Sequence, residues 1–147
     1  LNKIPGVTIY GDRDPARAAS RLGVIPINME GKTHYEVAAR LGYEYGIGVR
    51  NGCFCAHPYL LKLMHVDEAE AGQVRDLIVH HDKRDIPGLV RISFGLYNTL
   101  AEVDRLLQAL TEIAAGKSSV VYHQDQASGA FIPEGWQPQF EQHFTFE

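Results

Sequence analysis

The stretch Leu89–Ala115 reads LVRISFGLYNTLAEVDRLLQALTEIAA, and its apolar period changes once along its length. From Leu89 to Phe94 the residues alternate, with Val90, Ile92 and Phe94 on one face and Arg91 and Ser93 on the other. That two-residue period belongs to a half-buried strand. Further on, Thr99 and Glu102 stand at capping-box spacing, and Leu100, Val103, Leu106, Leu107, Leu110 and Ile113 recur near the 3.6-residue period. The spacing predicts a helix over Thr99 to Ala115, with one apolar stripe to bury.

Working outward, Gly6 to Tyr10 is β-prone and ends at a Gly11-Asp12 turn. Asp14-Pro15 pairs an N-cap with a proline suited to the first helical position, which predicts a short helix to Leu22 stopped by Gly23. Val24 to Asn28 reads as a second strand. Thr33 and Glu36 have capping-box spacing before Val37, Ala38 and Leu41, with Gly42 as the expected stop. Gly46 to Arg50 alternates, Ile47 and Val49 against Gly48 and Arg50. Pro58 to Met64 is a candidate short helix, and Asp67 with Glu70 caps another whose apolar side is Val74, Leu77 and Ile78.

Strands and helices interleave, total strand content is small, and no glycine-rich phosphate loop follows a strand. The expected class is α+β, a small mainly antiparallel sheet with helices packed on one face, as in ferredoxin-like sandwiches. Residues 1–117 form the expected domain, with Gly116 to Ser119 as the only candidate linker. The tail, 118–147, lacks helical period and carries Tyr122, Phe131, Trp136, Phe140, Phe144 and Phe146. It is expected to order by packing those rings on the domain or on a partner.

At 147 residues, 45% hydrophobic and 22% charged, the chain fits one globular domain with a core of its own. A formal charge of -4 with no basic run disfavours a nucleic-acid or anionic-membrane partner. No apolar run approaches a membrane span of about 18 residues, and no signal segment opens the chain, so the default expectation is cytoplasmic. The first residue is Leu1 rather than Met, which leads us to expect a piece of something longer.

Both cysteines fall in VRNGCFCAHP, Val49–Pro58. Cys53, Cys55 and His57 spell C-x-C-x-H, a loose match to a metal or redox module that usually wants a fourth ligand. Buried inert thiols are the ordinary alternative. A nucleophile needs positive charge nearby, which Arg50 and His57 could supply, and exposure, which sequence does not show. Arg50 and Arg91 each lie opposite their strand's apolar set. If the two strands share a sheet, both guanidiniums leave one face as a bidentate receptor for carboxylate or phosphate; otherwise they are solvated surface arginines. His80-His81 reads as a solvated helix end.

R-N-G-C-F-C-A-H-P, followed by V-R-I-S-F-G-L-Y-N-T-L-A-E-V-D-R-L, resembles the C-terminal part of class V aminotransferases, specifically the cysteine desulfurase branch. Arg50, Gly52, Cys55 and Ala56 match the family's R-x-G-x-x-C-A segment; Arg91, Tyr97, Asn98, Thr99, Glu102, Val103 and Asp104 match its second motif. The likeness covers about residues 1 to 115. It implies a pyridoxal-phosphate enzyme in which Cys55 takes sulfur from a cysteine substrate, leaving a persulfide and alanine. Arg91 would clamp the substrate carboxylate, and Arg50 would stand at the entrance of the site. It further implies an upstream large domain holding pyridoxal phosphate, a homodimeric parent and a sulfur-acceptor protein.

Three departures accompany the likeness. Cys53 and Phe54 replace polar residues frequent in the family, and Cys53 is either a packed residue or a second thiol that receives the persulfide. The interval from Cys55 to Arg91 is longer than the desulfurase pattern, inserting a charged helix. None of Lys3, Lys32, Lys62, Lys83 and Lys117 has the context of the cofactor lysine. No cofactor-binding residue and no metal site is therefore expected in this chain, and by itself it is expected to be inactive. Transaminase, lyase or epimerase chemistry of the same class, with Cys55 incidental, is the alternative.

Overall fold

Side-chain caps set where three helices begin in the computed structural model, which describes residues 1–139. Thr99 accepts from the Glu102 amide at 3.3 Å while the Glu102 carboxylate accepts from the Thr99 amide at 2.7 Å, opening α4, Leu100–Ala114. Asp67 and Glu70 do the same for α3, Glu68–Val79. Thr33 caps α1, His34–Tyr45, but the Glu36 carboxylate turns outward to Lys32 Nζ at 3.0 Å rather than closing a box. The expected stop at Gly42 is overrun. Space around Gly42 is open, and Gly46, at φ 65°, supplies the left-handed cap instead, its amide returning to the Gly42 carbonyl. A seven-residue helix, α2, spans His57–Leu63. The segment after Asp14 is a 3₁₀ helix, Pro15–Ser20, with no buried residue.

Four strands, β1 Val7–Ile9, β2 Val24–Met29, β3 Arg50–Gly52 and β4 Leu89–Ser93, pair antiparallel in the order β1-β2-β4-β3. The alternating run Gly46 to Arg50 is mostly not strand. The Ile47 amide bonds back to the Leu41 carbonyl to finish α1, so ladder pairing starts only at Arg50, although Ile47 and Val49 still pack on the core. The class is α+β, as expected.

Helices α1 and α4 cover one sheet face, burying Ile27, Met29, Val90 and Ile92 against Val37, Leu41, Leu106, Leu110 and Ile113. Leu100 departs from the expected stripe: at the first position of α4 it is 83% exposed. In α3 only Val74 is buried. The opposite face is partly covered at one end, where Leu89, out of phase with Val90 and Ile92, packs with Cys53 and with Leu60 of α2. Among the described residues no helix is long and apolar enough to cross a membrane.

Within the tail, β5 Tyr122–Gln124 and β6 Phe131–Pro133 form a hairpin. Its rings meet α1: Tyr43 lies 5.2 Å from Trp136 and 6.4 Å from Tyr122 between ring centroids. Buried Arg40 bonds Glu44 at 2.9 Å and the Lys117 carbonyl, and Glu44 accepts from Ser118 and Tyr122, each at 3.1 Å. Burial, reinforced by the Glu44 carboxylate, holds the Tyr122 phenol well above its ordinary pKa. Phe140, Phe144 and Phe146 lie outside the described residues.

Candidate functional site

The β3–β4 register places Arg50 directly opposite Arg91. Both belong to the face away from α1 and α4, because Val90 and Ile92 occupy the other phase of β4. Two cations directly opposite one another in a ladder repel, and nothing in the pair itself offsets this. Arg50 is exposed and Arg91 half-buried. The Arg91 Nε is fully buried and has no hydrogen-bond partner among the described residues. Leaving a buried donor unmade costs about 1–3 kcal/mol, more for a charged group.

Beyond β3 the chain turns sharply. Gly52 has φ 101°, Phe54 φ 53° and Cys55 φ 62°. The left-handed region costs an L side chain roughly 1–2 kcal/mol, and here two side chains in succession occupy it. The turn lays the Phe54 ring 5.1 Å from Arg91 Cζ, a cation–π contact worth about 0.5–1 kcal/mol at an exposed site. Cys55 follows, exposed, immediately before α2. The two thiols are thus in different environments. Cys53 is buried, its Sγ donates to the Pro87 carbonyl at 3.2 Å, and burial pushes its pKa up.

Beneath the turn lies His34, buried on α1. A carbonyl can only accept, so Nε2 carries the proton donated to Ile86 at 2.9 Å, and Nδ1 accepts from the Asn51 amide at 3.2 Å. Burial lowers the His34 pKa despite the bond to Ile86. Gly88 admits this packing: a Cβ there would stand 2.6 Å from His34 Nε2 and 2.8 Å from Gly52 Cα.

Of the residues singled out in the sequence, Arg50, Arg91 and the Cys55 turn meet on one face. Cys53 does not join Cys55, since it is buried toward Pro87 while Cys55 is exposed; His57, the first residue of α2, is exposed. Among the described residues no three His, Cys, Asp or Glu side chains cluster as metal ligands. Lys3, Lys62, Lys83 and Lys117 are exposed and Lys32 is paired with Glu36; none stands on β3, β4 or the thiol turn. His34 and Gly88 had no signal in the sequence that marked them as parts of the site, and Phe54 stood out only as a departure within the cysteine segment.

A family model described as aminotransferase class-V matches residues 1–106. The cysteine desulfurase of Salmonella newport (strain SL254) is 38% identical over 114 residues, covering 77% of this chain and 21% of that protein. The cysteine desulfurase of Salmonella agona (strain SL483) is 35% identical over 113 residues with the same shares. Among solved structures, the apo cysteine desulfurase from Thermococcus onnurineus NA1 superposes with a TM-score of 0.55 at 31% identity, over 76% of this chain and 22% of that one. The chain spans about a fifth of the length of the curated relatives it matches.

Proposed function

The chain belongs to the class V aminotransferase family, as a cysteine desulfurase-related domain, and from that premise we propose that residues 1–117 act as the C-terminal small domain of a pyridoxal-phosphate cysteine desulfurase. Residues 118–147 are an accessory tail, packed on it over its described part to residue 139. The observation that carries this reading is the unsatisfied cation pair, Arg50 opposite Arg91 with Arg91 Nε orphaned, beside an exposed thiol on a strained turn.

In this reading Arg91 binds the carboxylate of a cysteine substrate. The Phe54 ring holds the guanidinium by its face and leaves its terminal N–H groups for the carboxylate. Arg50, more exposed, draws the anion in. The Cys55 thiolate then takes the substrate sulfur: an S–S bond forms, the Cβ–S bond breaks, and its electron pair stays on Cβ, which gains a proton to become the methyl group of alanine. Cys55 is left as a persulfide for a sulfur-acceptor protein. Cys53, protonated and packed, takes no part.

Pyridoxal phosphate is the cofactor the family implies, but the residues described here do not fit it. No lysine stands on the site face, so the cofactor's seat belongs to a large domain outside this chain, in a homodimeric parent. No step above runs through it. The test is Cys55→Ala in the longer protein, with sulfide and alanine both measured. Loss of both is expected; unchanged sulfide release would refute the role of Cys55 and favour other class V chemistry on the same carboxylate receptor.

A further inference from the structure

The family match ends at residue 106, yet the hairpin beyond it reaches back toward the thiol turn. Its tip grips the segment between α3 and β4. The Lys83 amide donates to the Gln126 carbonyl at 2.9 Å, and Gln124 Nε2 donates to the Arg84 carbonyl at 3.0 Å and to the Gly129 carbonyl at 3.1 Å. Gly129, buried at φ 75°, fits so closely that a Cβ would stand 2.5 Å from Tyr35 Cζ and 2.6 Å from the Lys83 carbonyl. The tip is itself closed by the Asp125 amide on Ala130 at 2.9 Å and the Gly129 amide on Asp125 at 2.8 Å.

The gripped segment then supports the turn through three consecutive residues. The Ile86 carbonyl receives His34, the Pro87 carbonyl receives Cys53, and Gly88 lies against Gly52. A second path runs through Tyr35, whose ring is touched by Gly129 and lies 4.0 Å from the His34 ring. Contacts to Tyr43 and Glu44 of α1 would be enough to seat the tail; those to Lys83, Arg84 and Tyr35 are additional and all lead toward β3.

We propose that the β5–β6 hairpin is a brace for the thiol turn, gripping Lys83 and Arg84 so that Ile86, Pro87 and Gly88 hold His34, Cys53 and Gly52 in place. It is a positioning element, and the segment before β4 and the tail serve it together. Its consequence for Cys55 chemistry rests on the function proposed above; the mechanical coupling does not.

The full 147-residue chain carries the test, with Gln124→Ala and Gly129→Ala as brace variants and Ser118→Ala, on the α1 side of the tail, as control. Native-state labelling of Cys53 by iodoacetamide is read by peptide mapping. Cys53 labelling should rise about twofold to tenfold in the brace variants, the range set by one hydrogen bond, and stay unchanged in the control. A wild-type rate in both brace variants, or an equal rise in the control, overturns the proposal. Hydrogen exchange on the unmodified chain decides it independently of any variant. The Lys83 amide should exchange in step with those of Asp125 and Gly129; exchange of Lys83 while the hairpin stays protected overturns the brace. Accelerated Cys53 labelling together with unchanged sulfide release by Cys55→Ala in the longer protein would leave the brace standing and the desulfurase reading fallen. The opposite pair of results would do the reverse.

Discussion

If Arg50 and Arg91 form an anion receptor beside Cys55, an anionic alkylating agent should outpace a neutral one at this thiol. Iodoacetate and iodoacetamide react by the same displacement and differ in charge. Cys55 directly follows Phe54, whose ring lies 5.1 Å from Arg91 Cζ, and Arg50 stands opposite Arg91; a carboxylate about 8 Å from each guanidinium, roughly one Debye length at physiological salt, sets the scale. At that distance, with an effective dielectric of about 40–80, each cation contributes roughly 0.5–1 kcal/mol, or about 1–2 kcal/mol for the pair. Screening leaves most of this at about 0.01 M salt and about a third at 0.15 M. Relative to the same ratio at a free cysteine, the iodoacetate preference should be about fourfold to fifteenfold at low salt and about twofold to threefold at physiological salt. Mass spectrometry resolves Cys55 from buried Cys53. Arg91→Gln or Arg50→Gln should each remove part of the preference. A ratio equal to that of free cysteine, indifferent to salt and to both substitutions, would refute the receptor.

Other expectations follow from single contacts. Phe54→Leu removes the ring from Arg91, so the iodoacetate preference and the chemical shift of the Arg91 Nε–H should both change, while Phe54→Tyr retains them; identical behaviour of the two variants would mean the ring positions nothing. Gly88→Ala forces a methyl group to within 2.6 Å of His34 Nε2 and 2.8 Å of Gly52 Cα, and urea unfolding should show a loss of about 1–3 kcal/mol or more. His34 has its folded pKa below its unfolded value near 6.5, so below that pH the unfolded chain binds the extra proton. Its contribution to stability is intact above pH 6.5 and is lost as pH falls toward the folded pKa. Urea midpoints should therefore drop between pH 7.5 and 5.5 more steeply in the wild type than in His34→Gln, and equal slopes would contradict the assignment.

What the sequence revealed follows the range of each interaction. Capping at Asp67 and Thr99 acts within one turn, so the starts of α3 and α4 were legible from four residues each. The phase of Arg91 was legible too, because Val90 and Ile92 are its neighbours in sequence. The register was not: a one-residue slip would have sent Arg50 to the other face, and only the β3–β4 pairing places the two guanidiniums opposite each other. The start of β3 was misjudged for a similar reason. Ile47 and Val49 do alternate into the core, but the Ile47 amide is already committed to Leu41. His34 stood alone in the sequence, since Asn51 and Ile86 reach it from other elements.

Left-handed side chains also close the ends of α2 and α3, at His65 and His81, but the costly features concentrate on one face. The α1–α4 face largely follows its local signals: side-chain-capped helices, and Ile27, Leu41, Leu110 and Ile113 with no exposed surface. On the other face, within a few residues, stand two opposed cations, an orphaned guanidinium donor and two successive left-handed side chains. Each costs on the order of 1 kcal/mol or more, and none improves packing. A domain selected for its own stability would pair the arginines with a carboxylate and place glycine at Phe54 or Cys55. In the proposed function a bound anion would offset the first cost, because it lies between the two cations. The third remains as the geometry that presents Cys55, which identifies the turn rather than the cysteine pair as the unit the fold maintains.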